Sequence, residues 1–257
     1  MSFPLLRKMF KQNAVLYWAF IGVIVPYFFL VILMYPMITE MLQGEDNIFG
    51  DLFNFGDIGS YTGAMVGELL YTFGLILFIM LVFKLAYKPI DVGSLSMTLM
   101  TGISRTKYMI TACVFLLMKL AILFVLIFAT GILSFLVMGE EFTFVNYLNV
   151  VALTMLCLAA VVFIALFLGI MFAGKKAAMA LIIAVPVVLY ILFMASQLHT
   201  SLNFLRWLSV FGWFVPAEVA TGTASLWWIA VMVGYVVIVA VSFVLSTIFF
   251  KKKDLSL

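Results

Sequence analysis

Long apolar runs separated by short polar stretches set the hydropathy pattern of the chain. The runs cover about residues 14–38, 64–86, 108–137, 146–173, 177–197 and 226–250. A helix needs roughly 20 consecutive apolar residues to cross the hydrocarbon core of a bilayer, and each run reaches about that length. The pattern therefore predicts an all-α integral membrane protein with six transmembrane helices.

Composition agrees with the prediction of a membrane protein and argues against a separate soluble domain. Of the 257 residues, 67% are hydrophobic and only 10% are charged, with a mean hydropathy of +1.30. Soluble domains carry about 25% charged residues, so this chain has too few charges to cover a water-exposed surface. The connecting stretches are too short for a soluble catalytic domain, and we expect one transmembrane domain over residues 1–257. The first run exceeds the apolar core of a cleavable signal peptide and is expected to stay in the mature chain.

Charge is distributed unevenly between alternate connecting segments. The basic residues of one set are Arg7, Lys8, Lys11, Lys84, Lys88, Arg105, Lys107, Lys175, Lys176, Lys251, Lys252 and Lys253. Acidic residues concentrate in the other set, at 39–63 and in the turn with Glu140 and Glu141. Cytoplasmic segments carry the excess of Lys and Arg, so both termini and the loop between the second and third spans are predicted to be cytoplasmic.

The residues before the first span have an amphipathic pattern. Phe3, Leu6, Met9 and Phe10 recur at helical spacing, and the basic residues lie between them. This pattern is typical of a short helix in the plane of the membrane interface, and we expect residues 1–13 to lie on the inner leaflet in contact with lipid.

The segment at 198–225 is too apolar for a free loop and too interrupted to span the membrane. Trp207 and Trp213 suit the membrane–water interface, where aromatic rings anchor. Gly212 and Pro216 interrupt the apolar pattern and predict a re-entrant helix pair that dips into the outer leaflet. We expect Trp207, Trp213 and Pro216 to form an outer gate. A plain interfacial anchor is the alternative.

One stretch, "GIMFAGKKAAM" at 169–179, nearly matches the phosphate-binding loop G-x-x-x-x-G-K-[ST]. A working loop follows a buried strand, but this one follows an apolar helix, and Lys176 occupies the position of the metal-binding Ser or Thr. The stretch therefore predicts a basic turn that contacts lipid headgroups, with Gly174 ending the helix. We expect that the chain does not hydrolyse ATP alone.

The remaining chemistry is sparse. The single histidine, His199, lies near the outer end of the fifth span, and no zinc-protease motif occurs. Cys113 and Cys157 fall inside apolar runs and are expected to be packing residues. These observations exclude the common enzyme classes, and we expect no metal, no cofactor in this chain and no nucleic-acid partner.

Two ionisable residues lie within predicted spans, where such residues are functional candidates. Lys119 lies about 9 Å below the inner interface, since a helix rises 1.5 Å per residue. It either snorkels or bonds another helix, or it lines a substrate path. Glu68 lies about one turn inside the outer end of the second span and is expected in an outer vestibule or an interface. Both are candidates for the transport path.

Glycines repeat at a helical spacing before and within the second span. Gly59, Gly63 and Gly67 place small residues on one face, which allows another backbone to approach closely. The face either packs against another helix of the same chain or forms a subunit interface.

The loop between the second and third spans, residues 87–107, is the only sizeable cytoplasmic one. Gly93 and Gly102 bracket a stretch with Leu95 and Leu99, which predicts a short amphipathic helix. Such a helix can dock in a groove of a partner protein, or it can lie on the membrane surface.

The run from Asp91 to Lys107, with "D-V-G-S-L" and "I-S-R-T-K", resembles the permease subunits of ABC-2 type exporters. The C-terminal "FFKKKDLSL" is similar to the end of those permeases, and the layout of spans and loops resembles theirs along the whole chain. Gly102 stands where the family often has Pro.

The resemblance implies a bacterial cytoplasmic-membrane permease that pairs with a second copy or a homologous permease. A separate cytoplasmic ATPase subunit would bind ATP and Mg and dock on a coupling helix at 93–102. The coupling residues it implies are Asp91, Gly93, Leu95, Leu99, Gly102, Ser104, Arg105 and Lys107.

Cargo follows less directly from the residues. The chain carries 27 Phe and 17 Met, which suit an adaptable apolar surface. We expect a hydrophobic or amphipathic cargo, above all a membrane-active peptide such as an antimicrobial or toxin-like one. An ATP-independent secondary carrier or a structural membrane scaffold is the competing hypothesis, although the midplane ionisable residues typical of carriers are missing.

Overall fold

A computed structural model describes residues 2–42, 58–91, 93–100, 102–139, 143–173, 176–224 and 227–252. Every regular element in these segments is a helix. The helices are α1 (Phe3–Gln12), α2 (Ala14–Leu33), α3 (Tyr35–Leu42), α4 (Ile58–Asp91), α5 (Ser94–Met100), α6 (Arg105–Met138), α7 (Phe144–Met171), α8 (Lys176–Leu198), α9 (Leu205–Leu208), α10 (Pro216–Thr221) and α11 (Trp227–Lys252). Short 3₁₀ turns at Thr200–Leu202 and Val210–Gly212 interrupt the segment between α8 and α11.

Six of the described helices are long and apolar enough to cross a membrane, namely α2, α4, α6, α7, α8 and α11. They coincide with the six predicted apolar runs, which confirms the all-helical fold and fits a multi-pass membrane protein. The largest difference is α4, which begins six residues earlier and ends five residues later than its run at 64–86.

A π-helical segment at Phe83–Tyr87 lies where α4 extends past its apolar run. Pro89 lacks the N–H that would bond the carbonyl of Leu85 in an ordinary helix. The hydroxyl of Tyr108 in α6 donates to that carbonyl instead, at 3.0 Å. The predicted loop at 87–107 is therefore shorter than expected, because its first five residues remain helical.

Helix α7 lies at the centre of the bundle. Its most apolar window is 78% buried inside the protein, whereas the corresponding window of α8 is 17% buried. Small residues allow this close approach: a Cβ at Gly169 would lie 2.7 Å from the side chain of Ile182, and one at Gly131 in α6 would collide with the Tyr147 hydroxyl. The peripheral helices leave most of their apolar surface exposed, as lipid contact requires.

Tyrosine hydroxyls bond the spans together. Five of them donate to main-chain carbonyls of other elements: Tyr17 to Lys119, Tyr61 to Val31, Tyr108 to Leu85, Tyr147 to Ile127 and Tyr235 to Val210. Within a bilayer, water does not compete for these carbonyls, so each bond fixes one helix against the next.

The predicted basic segments meet at one end of the bundle. The ring of Tyr108, near the start of α6, stacks on Phe250 near the end of α11 at 5.7 Å. Tyr108 also bonds the end of α4, and a Cβ added at Gly169 near the end of α7 would lie 3.4 Å from the Cβ of Ala86 there. We call this the basic end; it carries α1 and the turn between α7 and α8. Gly174 and Lys175 of that turn lie outside the described residues.

The N-terminal helix forms as predicted, and part of its apolar face packs against the bundle. Leu5, Leu6 and Met9 are buried against the bundle, mainly on α6, whereas Phe3 is 73% exposed. The backbone N–H of Ser2 donates to the Thr111 hydroxyl of α6 at 3.0 Å. The helix therefore binds α6 through Leu5, Leu6 and Met9, and its expected place on the inner leaflet stays a prediction.

The glycine face of α4 packs against the same chain. A Cβ at Gly63 would lie 2.7 Å from the carbonyl oxygen of Pro216 and 2.8 Å from the Cβ of Ala220. At Gly67, a Cβ would lie 2.9 Å from the ring of Pro216. Of the two alternatives for this face, intramolecular packing is therefore the one observed, and its partner is α10.

Candidate functional site

Helix α5 at the basic end is bracketed by two glycines with left-handed backbones. Gly93 has φ 70° and Gly102 has φ 82°, a conformation that costs a residue with a side chain about 1–2 kcal/mol. A Cβ at either position would meet no atom within 4 Å. The glycines are therefore needed for the backbone conformation on either side of α5 and not for space.

The two faces of α5 have different environments. Leu95 is only 3% exposed and packs against its own chain, whereas Met100 is 80% exposed. The side chain of Leu99 lies outside the described residues. Sequence reasoning placed Leu95 on the docking face, but among the described apolar side chains of α5, Leu95 is buried and Met100 is exposed. The i to i+5 separation of these two residues puts them on different sides of a helix, a signal available from the sequence.

The residues after α5 start the next span. The Ser104 hydroxyl accepts a hydrogen bond from the backbone N–H of Lys107 at 3.3 Å and caps α6. Lys107 and Asp91 are exposed, and Arg105 is half-buried. The predicted coupling residues on this linker therefore surround α5 at the basic end.

Lys119 lies inside a cage of aromatic rings. Its Nζ is 3.8 Å from the ring centre of Tyr17, 4.6 Å from Phe10, 5.8 Å from Phe115 and 6.0 Å from Trp18. The residue is 2% exposed. The cage combines rings from α1, α2 and α6, and the Tyr17 hydroxyl donates to the Lys119 carbonyl at 2.7 Å. The structure thus places the side chain within the protein and away from its outer surface.

Glu68 lies on the outer surface of α4. Its side chain is exposed. Glu68 precedes Tyr71 by three residues, so the two lie about 4.5 Å apart along the helix axis. Below it, the Thr72 hydroxyl bonds the Tyr190 hydroxyl of α8 at 3.0 Å, and the Phe73 ring contacts Tyr27 of α2 at 5.8 Å. We call this strip of α4, from Glu68 to Met80 between α2 and α8, the Glu68 surface. Lys119 and Glu68 belong to different parts of the molecule, as their sequence positions indicated.

The segment between α8 and α11 enters the bundle. The Ser209 hydroxyl donates to the Leu189 carbonyl at 2.6 Å, and the Tyr235 hydroxyl donates to the Val210 carbonyl at 2.8 Å. Leu189 lies about 13 Å along α8 from its end, and Tyr235 lies about 12 Å from the start of α11, at about 1.5 Å per residue. Ser209, Phe211 and Val210 are buried, so this turn lies deep between the helices.

The three predicted gate residues have different positions. Pro216 is buried against Gly63 and Gly67 of α4. The Trp213 ring stacks on Tyr235 with ring centres 5.5 Å apart, and its indole N–H donates to the Trp207 carbonyl at 3.3 Å. Trp207 itself is 64% exposed. The structure therefore brings Trp213 and Pro216 into the bundle and leaves Trp207 at its surface.

Sequence reasoning missed the residues that hold this turn. Tyr71 contacts Phe211 with ring centres 4.7 Å apart, and the thiol of Cys157 contacts the Val210 carbonyl at 3.7 Å. The Arg206 Nε donates to the Gly212 carbonyl. The hydroxyl of Tyr71 is buried without a hydrogen-bond partner, next to a π-helical segment at Leu70–Gly74. The signal available in the sequence was that Tyr71 and Cys157 each lie in the middle of a long apolar run.

The described residues hold no group of three or more His, Cys, Asp or Glu side chains that could bind a metal. His199 lies at the end of α8, where its Nδ1 accepts a hydrogen bond from the Ser201 backbone at 3.2 Å. The near-match to a phosphate loop falls between α7 and α8, so a helix precedes it.

The chain matches no protein-family model, no curated protein and no solved structure.

Proposed function

We propose that the chain is the membrane permease of an ATP-driven exporter whose ATPase is a separate polypeptide. The observation that carries this proposal is α5, a short helix at the basic end with an exposed Met100 and a left-handed glycine on either side. A short helix that packs on its own chain through Leu95 and exposes Met100 on another side is suited to docking in a partner groove. ATP and Mg would bind to the partner subunit.

Coupling would proceed through the short linker after α5. Ile103 and Ser104 connect the left-handed Gly102 to the first residue of α6, and Ser104 caps that helix. A displacement of α5 by the ATPase would therefore act on the end of a 34-residue helix that crosses the whole bundle. The excess of Lys and Arg at this end supports a cytoplasmic location in a bacterial membrane, with both termini cytoplasmic.

The Glu68 surface is the candidate path for cargo. A carboxylate exposed on a spanning helix is costly in lipid, so such a residue faces a partner subunit, a water-filled space or a substrate. Tyr27 and Ile76 beside it are about half exposed. A second permease copy, or a homologous permease, would close this surface into a path for a hydrophobic or amphipathic cargo, above all a membrane-active peptide.

The buried turn at Ser209–Gly212 supports a re-entrant outer gate. Its contacts with Leu189 and Tyr235 are more than 10 Å from the outer ends of their helices. In this proposal, Trp213 and Pro216 hold the gate against α11 and α4, and Trp207 anchors it at the interface.

The test is a pull-down of the full chain from native membranes in a mild detergent. We expect a soluble ATPase in roughly stoichiometric amount, and Met100→Asp should remove most of it because a charge enters the docking face. Met37→Asp is the matched control, since Met37 is also an exposed methionine but lies beyond α2 at the opposite end. It should leave recovery unchanged.

Two outcomes would contradict the proposal. A chain that purifies alone, even after crosslinking in native membranes, would favour the ATP-independent carrier or scaffold. Equal recovery from the Met100→Asp and parent chains would remove α5 as the docking element. Leu95→Asp is unsuitable here, because burying a carboxylate at this position would disturb the fold of the linker itself.

A further inference from the structure

Helix α1, Asn13 and the first turn of α2 form a bend that we call the amino-terminal elbow. The elbow is attached to α6 at two points. At its start, the Ser2 backbone bonds Thr111. At its other end, Phe10 contacts both the Lys119 ammonium and the Phe115 ring, whose centre is 5.1 Å from that of Phe10. Between these points, the buried face of α1 lies against α6. The aromatic cage around Lys119 is therefore the second of the two points at which α1 is attached to α6.

The cage also spans the bend between α1 and α2. Asn13 separates the two helices, with φ −106° and ψ 5°, and its side-chain N–H donates to the Met9 carbonyl at 2.9 Å. Phe10 comes from the helix before this bend, whereas Tyr17 and Trp18 come from the helix after it. One ammonium group thus contacts rings on both arms of the elbow and fixes the angle between them.

The cost of burying a charge indicates what Lys119 does. Removing an ammonium group from water is unfavourable unless other groups compensate for its lost hydration. An apolar residue would fill this position in a spanning helix at lower cost, so a lysine here needs a specific interaction. Desolvated cation–π contacts supply one, worth about 2 kcal/mol or more.

We propose that Lys119 is a cation–π latch that locks the amino-terminal elbow onto α6. With the latch closed, α1, the first turn of α2 and the inner half of α6 move as one body. Because α6 begins directly after the α5 linker, a movement of α5 is transmitted to α2 through this contact. The latch itself is a property of the isolated chain and does not depend on the proposed ATPase partner.

The test measures how often α1 leaves α6. Met9 is 4% exposed on the docked face, so a cysteine in its place reacts with a water-soluble maleimide only when α1 opens. The full chain carrying Met9→Cys and Cys113→Ala is reconstituted in lipid nanodiscs, and labelling is read by mass spectrometry. Native Cys157 at the centre of the bundle reports any general unfolding.

In the Lys119→Met variant, the cysteine at Met9→Cys should be labelled about tenfold faster than in the parent. Methionine has nearly the length of lysine but no charge, so the cation–π contacts are lost. Lys119→Arg should label within about twofold of the parent, since a guanidinium also stacks on aromatic rings. Cys157 should remain unlabelled in all three. A cysteine at the adjacent exposed position, Lys8→Cys, controls for intrinsic reactivity and should label equally in each.

Two results would overturn the latch. Equal labelling of the Lys119→Met and parent chains would show that the charge does not hold the elbow. Fast labelling of both Lys119→Met and Lys119→Arg, with Cys157 protected, would show that the contact depends on the shape of lysine and not on its charge.

Discussion

The linker around α5 and the turn before α10 both interrupt the spans, but glycine serves a different purpose in each. In the α5 linker, Gly93 and Gly102 adopt left-handed backbones in open space. At the other end of the molecule, Gly212 and Gly63 are needed for space, since a Cβ at either would lie less than 3 Å from backbone atoms. Local conformation therefore determines the first interruption, and tertiary contacts determine the second.

This difference follows from the solvent each segment meets. The α5 linker is exposed at Gly93 and Gly102, where water can satisfy its peptide groups. The turn at Ser209–Gly212 lies between spans, where every N–H and carbonyl needs a partner from the protein. Side chains of Tyr235, Arg206 and Ser209 provide those bonds. We therefore expect substitutions in the outer segment to lower stability, and substitutions in the α5 linker to affect partner binding.

The largest effect is expected from Gly63→Leu. Its side chain would displace Pro216 and Ala220, and since two of the clashing atoms belong to the backbone of α10, the contact cannot relax by a rotamer change. We expect a loss of about 3 kcal/mol of unfolding free energy, the upper part of the range for overpacking. The measurement is the midpoint of thermal unfolding in a single detergent.

Gly22→Leu is the matched control for this substitution. Gly22 also lies in a spanning helix, but a Cβ there would meet nothing within 4 Å. Its unfolding midpoint should stay close to that of the parent, within the equivalent of about 0.5 kcal/mol. Equal unfolding midpoints for the two variants would show that α10 does not pack against α4 at Gly63.

A smaller effect is expected from Tyr235→Phe. The substitution removes the hydroxyl that donates to the Val210 carbonyl at 2.8 Å but keeps the ring that stacks on Trp213. A buried carbonyl left with only the weak thiol donor of Cys157 should cost about 1 kcal/mol. Thermal unfolding under the same conditions measures this loss.

Tyr190→Phe provides the comparison, because its hydroxyl bonds the side chain of Thr72. That threonine can turn its hydroxyl to a carbonyl of its own helix, so the loss should be close to zero. If Tyr190→Phe destabilised the chain as much as Tyr235→Phe, the bond to Val210 would have no special role.

The number of spans and their approximate positions could be predicted from the sequence, because long apolar runs mark them, but the extension of α4 beyond its run at both ends could not. Hydropathy distinguished the apolar, interrupted segment at 198–225 from the cytoplasmic loop at 87–107, but it could not show why each needs its glycines. The role of Gly63 depends on α10, which lies about 150 residues further along the chain. Contacts at such a distance in sequence leave no periodic signal.

Two candidate site residues show the same limit. Spacing predicted that Leu95 and Leu99 would share a docking face, but the bundle beneath α5 buries Leu95. Depth in the membrane suggested that Lys119 would snorkel, bond another helix or line a path. The cage that surrounds it depends on the bend at Asn13, which brings Phe10 and Tyr17 to the same point. Neither arrangement could be read from one helix alone.

The smallest effect on stability, and the most specific, is expected from Gly102→Ala. The left-handed backbone would cost alanine about 1 kcal/mol, but the linker can relax into another conformation without disturbing the bundle. The unfolding midpoint should hardly change, whereas recovery of the ATPase in the pull-down should fall. Gly139→Ala is the matched control, because Gly139 has φ 71°, also lies in open space and ends α6 at the opposite end. It carries the same local strain, so equal recovery from the two variants would mean that the orientation of α5 is not what the partner recognises.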